Sequence, residues 1–154
     1  MKDTGTKRLL LVTAAAITAG LTAPLLHAAT AGEQEVLAPI HAMFRGMATR
    51  NPAVIKAAAV PGGKMVLMHY GKTEQIPWVV FAERIGKGKT HIEERIHHPM
   101  VRIDRDIATV WAPLEFLIDG KIDHCGTDSF QLIRLDGKWL IANLTATVRK
   151  ECKG

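Results

Sequence analysis

The chain has 154 residues, 47% of them hydrophobic and 23% charged, with a net charge of +5 at pH 7. This balance excludes a disordered or fibrous chain and leaves room for one folded core. The basic residues are scattered rather than clustered with aromatics, so nucleic acid is not an expected partner.

The first residues have the order of an export signal: Lys2, Lys7 and Arg8, then an apolar run from Leu9 to Leu26. Ala29-Thr30-Ala31 offers small residues for cleavage, and a cut after Ala28 is the alternative. The competing reading is an uncleaved membrane anchor, which Pro24 and the small-residue site oppose. Residues 1–31 are therefore expected to be a signal peptide and 32–154 the mature domain, periplasmic or secreted, with no stable membrane anchoring.

Next, Val36, Leu37, Ile40, Phe44 and Met47 recur at helical spacing, which predicts a helix over 33–49. Asn51-Pro52 restarts the chain as a second, short helix, with Asn51 as cap, and Pro61-Gly62-Gly63 should stop it. Residues 64–70 read as a strand. A third helix is expected from Thr73, with Trp78, Phe81 and Ile85 on one face and Pro77 in its first turn. Gly86 and Gly88 close it.

The remainder reads as four strands, 93–103, 107–118, 121–135 and 138–149. A short turn around Arg105 and two Asp-Gly turns, Asp119-Gly120 and Asp136-Gly137, join them. Asp-Gly between strand-like runs signals a tight hairpin, because both central residues need positive φ. Helices ahead of an antiparallel sheet define an α+β domain with the helices on one face.

Uninterrupted register sorts the side chains. Met100, Val110, Ala112, Leu114, Phe116, Leu144 and Ala146 fall on the helix side. Trp111, His124, Asp128 and Phe130 fall on the other, an amphipathic face suited to a homodimer contact; a bulge would exchange the faces beyond it. The same register sets Asp128 opposite Trp111 and Thr145, and pairs Glu115 with His124. It places Cys125 opposite Val148 and leaves Cys152 roughly 13 Å away at strand spacing. An oxidising compartment favours a Cys125–Cys152 bridge, whereas this register opposes it unless the tail folds back.

Several stretches carry a family resemblance. These are Ile103-Asp104-Arg105-Asp106-Ile107-Ala108-Thr109-Val110-Trp111, the strand from His124 to Arg134, and the closing Asp136-Gly137-Lys138-Trp139-Leu140-Ile141-Ala142-Asn143-Leu144. In these the chain resembles the nuclear transport factor 2-like superfamily, and within it the exported SnoaL-like branch labelled putative lumazine-binding. The resemblance covers about residues 33–150. It implies a cone-shaped, cystatin-like fold with a pocket between the helices and a concave antiparallel sheet, commonly a dimer. It transfers no catalytic motif, since fold alone fixes no reaction.

An enzyme on such a fold needs a carboxylate or histidine in an apolar pocket. Asp128 is the first candidate general base; its structural reading is an acceptor for Thr145 or Asn143. His98 on the helix side is the second. Arg95, Glu115, His124 and Arg149 form a row that reads as a cross-strand charge ladder or as a clamp for an acidic ligand. Adjacent His97 and His98 point to opposite faces, so no metal is expected. Lys87-Gly88-Lys89 is not a phosphate loop, and no cofactor is expected.

Trp78, Met100, Leu114, Phe116 and Tyr70 are the candidate ligand contacts; core filling is the plainer reading for Trp78 and the methionines, and a strand-end turn for Tyr70. The expected function is binding of a small apolar or aromatic molecule. The alternatives are an isomerase, dehydratase or hydrolase, or a module that recruits an envelope protein.

Overall fold

The computed structural model describes residues 29–152; the expected export signal lies almost wholly outside them. Helix α1 (Ala31–Ala48) starts two residues earlier than the periodicity predicts. Thr30 caps it, and a reciprocal bond from the Glu33 side chain completes a capping box. Val36, Leu37, Ile40, Met43, Phe44 and Met47 form its buried stripe. Helix α2 (Pro52–Ala57) is capped by Asn51 as expected.

The chain then departs from the reading. Pro61-Gly62-Gly63 does not precede the first strand but lies inside it: β1 spans Ala59–His69, with its register broken between Ala59 and Lys64. Thr73 starts no helix. Residues Lys72–Pro77 form β2, antiparallel to β1 across a Tyr70-Gly71 turn in which both residues have positive φ. Tyr-Gly therefore makes the same kind of turn as Asp-Gly, with a weaker sequence signature. Helix α3 (Trp78–Lys87) begins only after Pro77.

The expected 93–103 strand is two strands, β3 (Ile92–Ile96) and β4 (Met100–Asp104). They are separated at His97-His98-Pro99, where His98 adopts φ +44°. Both lie along β5 (Ile107–Ile118). Strands β6 (Lys121–Leu135) and β7 (Lys138–Arg149) have the predicted bounds.

The sheet has seven strands in the order β2-β1-β7-β6-β5-β3, with β4 also on β5. It is curved and unclosed. It is mixed rather than wholly antiparallel, because β1 runs parallel to β7. Such a pair needs a long connection, and β2, α3 and β3 to β6 supply it, while α1, α2 and α3 fold over one face. The core lies between that face and the helices.

Two bulges set which side chains enter this core. Lys121 pairs with Ile118 as predicted, but a slip near Asp123 puts Phe116 opposite His124 and Glu115 opposite Cys125. A second slip, near Ala142, puts Gln131 opposite Asn143. The first slip turns Phe130, Leu132 and Ile141 inward, and the second keeps Leu144 and Ala146 on that face. Asp128 turns inward with them, opposite Ala112 and Ala146 rather than Trp111 and Thr145. A one-residue slip reverses every side chain beyond it.

The slip also moves Cys125 opposite Arg149. The chain bends after Arg149, and Cys152 returns to bond Cys125 with Cα atoms 5.4 Å apart. The bridge opposed by uninterrupted register is thus formed.

Candidate functional site

Between α1, α3 and the inner sheet face lies a cavity of about 220 Å³. Its walls come from six elements besides β6: Met43 and Met47 of α1, Phe81 and Ile85 of α3, Met65 and Leu67 of β1, Leu114 and Phe116 of β5, Glu94 of β3, and Leu144 to Val148 of β7 (Thr145 excepted). His124 and Asp128 of β6 complete it. A wider groove of about 550 Å³ between α1, α2 and the β6–β7 turn is shallow and open. Enclosure and a buried ionisable group make the smaller cavity the candidate site.

Asp128 has no solvent exposure, and neither carboxyl oxygen meets a nitrogen or hydroxyl donor. Its cross-strand neighbours are the short side chains of Ala112 and Ala146. Thr145, the expected donor, points outward, and Asn143 bonds Gln131 at 3.4 Å instead. Burial pushes the Asp128 carboxyl up to about 7, and a hydrogen-bonding interaction with Glu94 partly offsets this. Glu94 is raised as well, by burial first and then by the negative charge of Asp128. Two carboxyls that repel in an apolar setting share a proton rather than ionise together.

Two ionised carboxylates are acceptors only, so Asp128 and Glu94 bond to each other only when one of them carries a proton. Glu94 retains some exposed surface as a residue, while its carboxyl is enclosed.

His124 is fixed on the same wall. Its ring stacks on Phe116 at 4.8 Å, and its Nδ1 lies 2.9 Å from Asp123 Oδ2. Among the described residues, neither Lys nor Arg lines the cavity.

Asp128, Leu114 and Phe116 are thus brought together, joined by His124 from the charge row, and the other sequence candidates are not. His98 sits on the β3–β4 break in a separate surface groove with His97, Glu115 and Arg149. Met100 is 54% exposed because it pairs with Trp111 on the outer face. Tyr70 is 64% exposed at the β1–β2 turn. Trp78 is buried but packs on Phe81, with its Nε1 3.4 Å from the Ala142 carbonyl, and does not line the cavity. The charge row is also altered: Glu115 meets His97 Nε2 at 3.2 Å, while Arg149 donates to the Gly126 carbonyl.

Glu94 was missed. It stands in a charged run, Glu93-Glu94-Arg95, that reads as solvated surface. Its signal is the alternation Ile92, Glu94, Ile96, which places one acid among apolar residues on a single strand face.

The layout of helices over a curved sheet has many solved counterparts. An NTF-2 like protein of unknown function from Silicibacter pomeroyi is 16% identical, with a TM-score of 0.61 over 79% of this chain and 100% of that one. An NTF2-like superfamily protein from Salmonella enterica is 15% identical, with a TM-score of 0.61 over 78% and 92%. A Novosphingobium aromaticivorans protein described as "Putative Scytalone Dehydratase" is 9% identical, with a TM-score of 0.62 over 75% and 83%. No curated protein sequence matches the chain. The fold is that of the nuclear transport factor 2-like superfamily. Within it, the family described as "Putative lumazine-binding" matches residues 31–145, and the chain belongs to that family.

Proposed function

We propose that the protein binds a small apolar or aromatic molecule in the 220 Å³ cavity. The observation that carries this is the Asp128 carboxyl, buried without a nitrogen or hydroxyl donor in a mostly apolar cavity. A buried polar group without a partner costs free energy, which a ligand donor would recover. An apolar cavity of about 150 Å³ admits benzene, so this one has room for one ring with substituents or two fused rings. The family description makes a fused heterocycle such as lumazine a natural first compound.

Native mass spectrometry of freshly isolated protein, followed by thermal-shift titration with one- and two-ring compounds including lumazine, tests the reading. A retained compound or a saturable rise in melting temperature is expected, and Ala146→Phe, shown to be folded, should abolish it. Bare protein with no response to any compound would end the proposal.

Catalysis is a second reading, favoured by an Asp128 carboxyl poised near neutrality. As general base it would serve an isomerase, dehydratase or hydrolase, without His98. Export is supported by the Cys125–Cys152 bridge, which suits an oxidising compartment. A homodimer through the outer sheet face is supported by exposed Met100, Ile107 and Trp111 on adjoining strands. Recruitment of another envelope protein through that face is the competing use of the same surface.

A further inference from the structure

We infer that the cavity selects an apolar molecule carrying a protonated amine, held jointly by Asp128 and Glu94; the inference rests on the cavity being a ligand site. Two carboxyls reach it from different strands, β6 and β3. The inner wall supplies no cation to answer them. Asp128 is wholly buried, and its acidic neighbour Glu94 offers it a shared proton but no positive charge. Apart from His124 and Thr147, the rest of the wall is methionine, phenylalanine and aliphatic carbon, which suits the body of an amine and attracts its charged end through the ring faces.

The charged groups nearby do not replace such a ligand. His124 is held by Asp123 and Phe116. His41 and Arg45 of α1, with His91 and Glu93, border a separate depression on the other side of Glu94. None of these acts appreciably on Asp128 or Glu94, whose shifts come from burial and from each other. Helix α3 and strands β1, β5 and β7 add no titratable side chain to the cavity wall.

Binding has a definite proton balance. The carboxyl pair holds a shared proton when the cavity has no ligand. An ammonium group that contacts both carboxylates displaces that proton to solvent while keeping its own charge. An uncharged ligand of the same shape leaves the proton in place.

The test compares benzylamine with benzyl alcohol, near-isosteric probes that differ in charge. Both are titrated calorimetrically into the mature chain at pH 7, in two buffers of different ionisation heat. Benzylamine should bind at least about tenfold more tightly, because charge-assisted hydrogen bonds are roughly twice as strong as neutral ones. Its apparent enthalpy should differ between buffers in the sense of proton release. Asp128→Asn and Glu94→Gln, each confirmed folded by circular dichroism, should reduce the preference to nearly nothing. Equal affinities, preference for the alcohol, or a preference that survives both substitutions would overturn the amine while leaving the cavity a binding site. Failure of both probes, together with failure of the thermal-shift series, would overturn both proposals.

Discussion

Asp128 departs most from ordinary carboxylate behaviour, and its stability effect has a definite sign. Its carboxyl rises from the usual 3.8 to about 7 on folding, chiefly through burial. Between those values the native chain holds a proton that the unfolded chain has released, so stability falls as pH rises through this window. Above about 7 the penalty is fully expressed, on the order of a few kcal/mol. Asp128→Asn removes both the charge and its repulsion of Glu94. In urea unfolding the variant should match or exceed the parent at pH 8, and its midpoint should change less between pH 5 and 8. A loss at pH 8 well above about 1 kcal/mol would show that Asp128 is a structural hydrogen-bond acceptor.

Among the elements, the three long strands were legible to the residue because Asp-Gly turns delimit them and positive φ is confirmed at Asp119, Gly120, Asp136 and Gly137. The faces of β6 and of the start of β7 are not, whereas the two slips cancel for Leu144 and Ala146, which lie on the expected helix side. Nothing in the letters around Asp123 or Ala142 marks an extra residue, and each slip inverts all that follows. Hence the sequence names Asp128 as a candidate but sets it on the wrong face, whereas Met100 faces outward because the turn at Arg105-Asp106 has two residues, pairing Asp104 with Ile107. The β1–β2 hairpin was misread because Pro77 suits a helix's first turn as well as a strand's end. Gly126 tests the β6–β7 pairing beside the site: a Cβ there would lie 1.8 Å from the Thr147 carbonyl oxygen. Gly126→Ala should therefore destabilise by about 1–3 kcal/mol in chemical unfolding, as overpacked sites do. An unchanged midpoint would contradict the register.

For the whole molecule, the tail beyond β7 is tied back across 27 residues of sequence by Cys125–Cys152. A cross-link of that span should contribute about 3 kcal/mol through the unfolded chain. Reduction, or the double substitution C125S/C152S, should lower the melting temperature without unfolding the sheet. An unchanged melting temperature would show that the bridge adds no net stability.

The helices, the curved sheet and the two bulges together bury one carboxyl in a mostly apolar cavity beside a second carboxyl. Carbon-detected magnetic resonance of the aspartate side-chain carboxyls, titrated from pH 3 to 9 with Asp128→Asn to assign the signal, tests this directly. One aspartate should titrate close to neutrality, with a curve shaped by Glu94. If every aspartate instead titrates below about 5, in the ordinary carboxylate range, Asp128 is solvated or paired and the cavity is not what it is described to be.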